Sequence, residues 1–234
     1  MIQVTRRGTE LSSSTEALAA LRDQFEQRHC FLLPGLLEAE LVDLIQQQID
    51  RGEFRERVHE DIDSNKELCL TESAAFGALL FLMNDEKLFQ LIQDITGCDR
   101  INCFEGRVYR VNPGEGHHDS WHNDIGEGRL VGMSLNLSRK VYSGGVLQIR
   151  NRESGALVTE AANIGSGDAV IFRLSRDLQH RITEVEGSAS KTAFAGWFRS
   201  QPNVSSLLNY GRPDEAPFSF RIRSRGPITA EHLY

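Results

Sequence analysis

The sequence predicts a mainly β fold with helices (α+β), a sandwich or jelly roll braced by helices from its first hundred residues. Three observations predict it. Up to about residue 99, apolar residues recur at helical spacing. From Arg100 onward, short apolar runs alternate with glycine-rich breaks. The 234 residues, 40% hydrophobic and 25% charged, suffice for a sizeable core and exclude a disordered or low-complexity chain. The expected organisation is a single domain over 1–234, with a helical buttress over 1–99, a jelly-roll core over 100–200 and a C-terminal extension over 201–234.

In order along the chain, Ser13 and Glu16 have capping-box spacing, and Leu18, Leu21 and Phe25 follow on one helical face. The run Cys30–Pro34 reads as a strand that Gly35 breaks. Leu37, Leu41, Leu44 and Ile45 mark a second helix, with Glu38 and Glu40 in its first turn, where the helix dipole favours acids. The charged stretch Gly52–Glu67 has no periodicity and reads as a mobile loop or lid. Phe76, Leu79, Leu80 and Met83 form a third helical stripe. Leu88, Leu91, Ile92 and Ile95 form a fourth, capped by Asp85 and stopped by Gly97. These stripes are core faces. Beyond them, runs such as RLVGMSLNLS, GDAVIF, HRITEV and KTAFAGWFR are separated by PGEG, SGG and GSGD, the texture of many short strands. Near the end, Arg221, Arg223 and Arg225 alternate, as on an edge strand with a solvated basic face.

The formal charge of −7 argues against a nucleic-acid partner, which would call for a basic surface. There is no run of about 18 apolar residues, so no membrane span is expected. The first residues carry two arginines without an apolar stretch behind them, unlike a secretory signal. Cys30, Cys69, Cys98 and Cys103 have no CxxC spacing and read as reduced core thiols of a cytoplasmic protein.

The chemistry starts at His122–Asn123–Asp124. On a strand, residues two apart leave from the same face, about 7 Å apart at their backbones, and an imidazole beside a carboxylate can grip one divalent ion. With 7 histidines in the chain the spacing arises by chance roughly 0.4 times, and His117–His118–Asp119 also contains it. The motif gains weight from His180, at the head of HRITEV, which an antiparallel roll can return beside it. Two histidines and one carboxylate on one face make the facial triad of mononuclear non-haem iron. On the next run, Lys191 shares a strand face with Ala193, Ala195 and Trp197, a pocket wall with room for a ligand. A lysine pointing inward there needs an anion.

This order of features resembles the Fe(II)/2-oxoglutarate-dependent dioxygenases, in particular their prolyl-hydroxylase-like branch. The resemblance runs from about Phe31 to Arg199. It comprises an opening strand and helix (FLLPGLLEAELVDLI), a strand ending in a Pro-Gly turn (YRVNPGEG), the His122–Asp124 pair and the run MSLNLS. The glycines Gly144 and Gly145 ahead of Leu147, then GDAVIF, His180, and Lys191 ahead of Trp197 complete it. It implies a double-stranded β-helix (jelly roll, cupin-like) that uses Fe(II), 2-oxoglutarate and O2, with ascorbate as an accessory reductant. By resemblance His122, Asp124 and His180 hold the iron, and Lys191 binds the distal carboxylate of 2-oxoglutarate, where most relatives use arginine. Lysine lacks the bidentate fork of arginine, and Ser190 is a rival for that register. The tyrosine that relatives place before the Pro-Gly turn is replaced by Val111 or Asn112, and Tyr109, on the face of Val111, is its substitute. Leu147, Ile182 and Trp197 line the pocket. Family spacing favours His122 over His117 as ligand, leaving His118 and Asp119 as solvated loop residues or substrate contacts at the mouth. A related branch that halogenates lacks the carboxylate ligand; Asp124 points to hydroxylation of a small molecule, amino acid or prolyl/peptidyl substrate, with succinate and CO2 as coproducts. Two alternatives stay open: a cupin-like metalloenzyme that needs no 2-oxoglutarate, and a non-catalytic binding protein. Oligomeric state is not legible in the sequence.

Overall fold

The structure is a computed structural model that describes residues 1–59, 65–71, 73–115, 117, 119–126 and 128–203. Met1–Pro202 form one compact unit; Asn203–Tyr234 are a second, of which only Asn203 is described. The alternating arginines Arg221, Arg223 and Arg225, like His118, lie outside the described residues.

The chain opens with a hairpin that the helical reading of the N-terminal region missed, β1 (Ile2–Thr5) against β2 (Gly8–Leu11). Helix α1 (Thr15–Arg28) starts one residue later than the capping-box reading. Ser14 takes the amide of Ala17, while the hydroxyl of Ser13 accepts from the Met1 amino group. Then follow β3 (Cys30–Leu33) and α2 (Ala39–Asp50), as the sequence predicts. The stretch read as a mobile loop or lid is instead a hairpin, β4 (Phe54–His59) and β5 (Asn65–Leu70). Its charges hid the strand pattern because β4 is the last strand of its sheet, and charged edges are how proteins guard an open ladder. Helix α3 (Ala74–Met83) is capped by Ser73; α4 (Glu86–Thr96) is capped by Asp85 and ended by Gly97 in the left-handed region, as expected.

The remaining elements are strands: β6 (Cys103–Val111), β7 (Arg129–Asn136), β8 (Ser143–Gly144), β9 (Leu147–Asn151) and β10 (Leu157–Ala161), then β11 (Ala169–Arg173), β12 (Leu178–Ile182), β13 (Val185–Glu186) and β14 (Lys191–Arg199). They form a seven-stranded antiparallel sheet, β3-β11-β7-β14-β6-β5-β4, and a three-stranded sheet, β10-β9-β12, with a short β13-β8 pair. This is the two-sheet arrangement of a jelly roll.

Alternation along β14 decides where everything sits. Phe194 and Phe198 face the helices and meet Phe104, with ring centroids 5.4 and 4.9 Å away. Leu79, Leu88 and Ile92 join that core, each buried aromatic or leucine contributing about 1.5–3 kcal/mol. Lys191, Ala193, Ala195 and Trp197 face the other way, opposite Val111, Tyr109, Arg107 and Glu105 of β6. A second, smaller core of Leu147, Ile149, Val170, Phe172 and Leu178 closes the space between the sheets. Strands β6 and β14 approach so closely at Gly196 that a Cβ there would lie 1.9 Å from the Glu105 carbonyl oxygen. Among the described residues no helix is long and apolar enough to cross a membrane. The four cysteines are unpaired thiols.

Candidate metal centre

His122 lies in the connection between β6 and β7 and adds one rung to the three-stranded sheet. Its N–H donates to the His180 carbonyl at 3.1 Å, and the His180 N–H returns the bond at 2.7 Å. This reciprocal pairing brings two imidazoles from distant sequence positions to a ring separation of 4.3 Å. The expectation that Asp124 shares a strand face with His122 needs correction. Asp124 is in no strand; its φ of +52° is the left-handed region, which aspartate tolerates better than most residues. That turn folds its carboxylate back beneath both rings. Arg129 steadies the turn by donating to the Asp124 carbonyl at 3.1 Å.

The carboxylate then bridges the histidines. Asp124 Oδ1 is 3.4 Å from His122 Nε2, and Oδ2 is 3.3 Å from His180 Nε2. One ligand atom from each of the three residues falls within 4.8 Å of the others. Cis ligands around a first-row metal sit about 3 Å apart, so the set fits one divalent ion with only small movements. The tautomer fits too. His122 Nδ1 lies 2.7 Å from the Ser120 carbonyl, so the tautomer protonated at Nδ1 would leave Nε2 free to bind a metal. Asp119, read from the sequence as a solvated loop residue or a substrate contact at the mouth, sits 3.4 Å from the same Nδ1. Burial would lower the His122 pKa, but the Asp124 and Asp119 carboxylates and the Ser120 carbonyl outweigh it and hold it at about 9. Burial would raise that of Asp124, but hydrogen bonds from His122 and His180 keep it well below the usual carboxylate range, so it is an anion at any ordinary pH.

Around the triad stands a supporting layer. Trp197, expected as an apolar wall, also donates its indole N–H to Asp124 Oδ2 at 2.9 Å. The Arg129 guanidinium stacks 3.6 Å over that indole. Phe172 packs its ring 4.7 Å from His180. Trp121, next to His122, is held on the outer side by the guanidiniums of Arg150 and Arg181 at 4.3 and 4.6 Å, which are in turn tied to Gln179 and Gln148.

The other sequence-predicted residues fall as follows. Lys191 is 2% exposed, its ammonium donating to the Gly145 carbonyl at 2.9 Å and lying 5.9 Å over the Tyr142 ring. Burial lowers its pKa to about 8, against a partial pull upward from Asp119. Its rival Ser190 bonds Asn112 at 2.8 Å and precedes the strand. Tyr109 is buried opposite Ala193, on the face of Lys191, and burial raises its pKa. Leu147 and Ile182 are register partners in the small sheet, on the His180 side of it. His117 is away from the triad, accepting the Asn112 amide at 3.1 Å. The sequence reading missed Arg107, which donates from Nε and Nη2 to the two carboxylate oxygens of Glu67 of β5 at 2.6 and 3.2 Å. Alternation from Tyr109 would have placed it on this inner face.

Residues 106–199 match the 2OG-Fe(II) oxygenase superfamily. Fe(II), 2-oxoglutarate and O2 are the cofactors that this match implies. The fold is shared with a Pseudomonas putida prolyl-4-hydroxylase (21% identity, TM-score 0.58), over 79% of this chain and 99% of that one. It is shared with a Trichoplax adhaerens prolyl hydroxylase solved with a hypoxia inducible factor peptide fragment (16% identity, TM-score 0.56, 80% and 94% covered). The non-haem α-ketoglutarate-dependent epimerase SnoN of nogalamycin biosynthesis is also similar (13% identity, TM-score 0.61, 87% and 93% covered). No curated protein sequence matches the chain at a significant level.

Proposed function

We propose that this oxygenase hydroxylates an unactivated C–H bond of an amino acid, a prolyl or peptidyl group or another small molecule, releasing succinate and CO2. The observation that carries the reading is the pairing of the His122–Asp124–His180 cluster with a buried lysine on the facing sheet, on a strand whose next two inward residues are the small Ala193 and Ala195. Bound Fe(II), with 2-oxoglutarate and O2, supplies the oxidising power.

The chain's own residues do the rest. His122 Nε2, His180 Nε2 and an Asp124 oxygen would hold the metal. Trp197 fixes the Asp124 carboxylate, and Ser120 fixes the His122 tautomer. The Lys191 ammonium receives the distal carboxylate of 2-oxoglutarate, an anion that offsets the cost of burying the charge. Tyr109 lies beside it on the neighbouring strand and orients the cosubstrate. Leu147, Ile182 and Phe172 keep the bed apolar and dry. The β4–β5 hairpin sends Glu67 to Arg107 at the border of this interior and is the element that selects among substrates. Within this reading, residues 1–99 are a buttress, 100–200 the catalytic core and 201–234 an extension. The two relatives described as prolyl hydroxylases support prolyl and peptidyl groups as the first substrates to try.

The test is a panel of free amino acids, prolyl peptides and small metabolites, incubated with Fe(II), 2-oxoglutarate and O2. A substrate is expected to release succinate and gain one oxygen by mass, and Asp124→Ala is expected to do neither. Succinate release that survives Asp124→Ala, or 2-oxoglutarate that is neither bound nor consumed by the metal-loaded protein, overturns the proposal.

A further inference from the structure

On the opposite face of the large sheet from Lys191, between α2, the start of β14 and the loop before it, lies a cavity of about 350 Å³. Its location follows from alternation: Leu68, Arg110 and Thr192 are register partners across β5, β6 and β14, each one residue from the inner-face positions Cys69, Tyr109 and Lys191. The cavity is therefore separated from the metal triad by the thickness of the sheet. Its volume is at the lower end of the range of about 300–1,000 Å³ in which small-molecule sites fall.

The lining is cationic in a chain of net charge −7. Among the described residues, Arg110, Arg139 and Lys140 border it against one carboxylate, Asp50, which pairs with Arg139 at 2.6 Å. Arg110 is the informative member. It is half-buried, its Nε donates to the Thr192 hydroxyl at 3.0 Å, and its guanidinium lies 4.1 Å over the Phe54 ring. Those contacts hold the planar group in place, yet among the described residues it makes no ion pair with a carboxylate. Burial lowers its pKa, with only a partial opposing pull from Asp50. An oriented, partly desolvated guanidinium without an anion is costly, and its donor fork matches a phosphate or carboxylate. Ser188, Ser190 and Thr192 add hydroxyls to the same wall.

We propose that this cavity is a second binding site, for a small polyanion bearing a phosphate or carboxylate group, with Arg110 as its anchor and Arg139 and Lys140 at its rim. The occupant is distinct from 2-oxoglutarate at the metal centre. Because Thr192 and Arg110 are adjacent in sequence to Lys191 and Tyr109, an occupant also braces the strands that carry those residues.

The test measures thermal unfolding and calorimetric binding of the full chain with inorganic phosphate, pyrophosphate and citrate, at constant ionic strength set with chloride. A saturable stabilisation is expected. It should weaken at least tenfold in Arg110→Gln, weaken in Lys140→Gln, and persist in Lys191→Met, which separates it from the metal centre. Lys140 is exposed, so its variant reports on binding even if Arg110→Gln folds poorly. Phosphate and pyrophosphate binding without citrate identifies a phosphate site; citrate alone identifies a carboxylate site. No saturable effect from any of the three anions overturns the proposal, as does one that survives both charge-removing variants.

Discussion

Replacing Lys191 by methionine separates what the buried cation costs the fold from what it does for an anionic cosubstrate. The folded pKa is about 8, against 10.5 in the open chain. Near pH 7 the lysine is protonated in both states, and the folded state bears a penalty of about 3 kcal/mol. Between about pH 8 and 10.5 the folded lysine is neutral while the unfolded one still holds its proton, so stability rises with pH across that window. Methionine occupies a similar volume without charge. The variant is expected to gain up to about 3 kcal/mol near neutral pH, less about 1–2 kcal/mol for the lost bond to Gly145, and to lose the alkaline rise. Cosubstrate binding runs the other way. Only the ammonium attracts a carboxylate, so wild-type affinity for 2-oxoglutarate is expected to fall above about pH 8. The variant should bind about 2 kcal/mol more weakly near neutral pH, roughly thirtyfold in Kd. Urea unfolding and anaerobic 2-oxoglutarate titration of the Fe(II)-loaded protein, each near neutral pH and well above pH 8, read the two effects. A variant that binds 2-oxoglutarate within about twofold of wild type refutes the role given to Lys191, as does a wild-type affinity that is flat across those pH values.

Other perturbations act on the supports of the metal centre and on the fold. Trp197→Phe keeps the ring but removes the donor to Asp124, and Fe(II) affinity measured by competition is expected to fall about 10–100-fold, as for other groups that orient a ligand; unchanged affinity would show that the indole only fills space. Trp121→Ala releases the ring held between Arg150 and Arg181 and should weaken Fe(II) binding, whereas Trp121→Phe should restore most of it; equal affinity in both variants would remove the ring as an anchor for His122. Gly196→Ala drives a methyl into the Glu105 carbonyl and should cost about 3 kcal/mol in urea unfolding; wild-type stability would mean that β6 and β14 do not pair in this register.

Much of the architecture was legible because it rests on local signals. Asp85 and Gly97 bound α4 as their chemistry demands, and the stripes at Leu79 and Ile92 do become the core under the large sheet. The inner face of β14 was readable because Lys191, Ala193, Ala195 and Trp197 obey strict alternation over a long, central strand. Where only one side of a strand is paired, that logic weakened. The β4–β5 hairpin is charged along its free edge, and its pattern reads as a loop. Residue types alone point to the triad, but strand alternation does not explain how it converges. His122 and Asp124 meet through a left-handed turn and a backbone bridge to His180, both products of tertiary pairing that spacing alone does not encode. The Arg129–Trp197 stack and the approach of Asp119 to His122 likewise depend on how the connection after β6 folds back, and carry no local signature.

The most direct measurement is an anaerobic titration of the full chain with Fe(II) and then 2-oxoglutarate, followed in the visible range. A charge-transfer band is expected in the wild type, absent in His122→Ala and in His180→Ala, and formed only at higher 2-oxoglutarate in Lys191→Met. A wild-type protein that shows no band, or a band that persists when His180 is removed, contradicts a ferrous centre built on these three side chains.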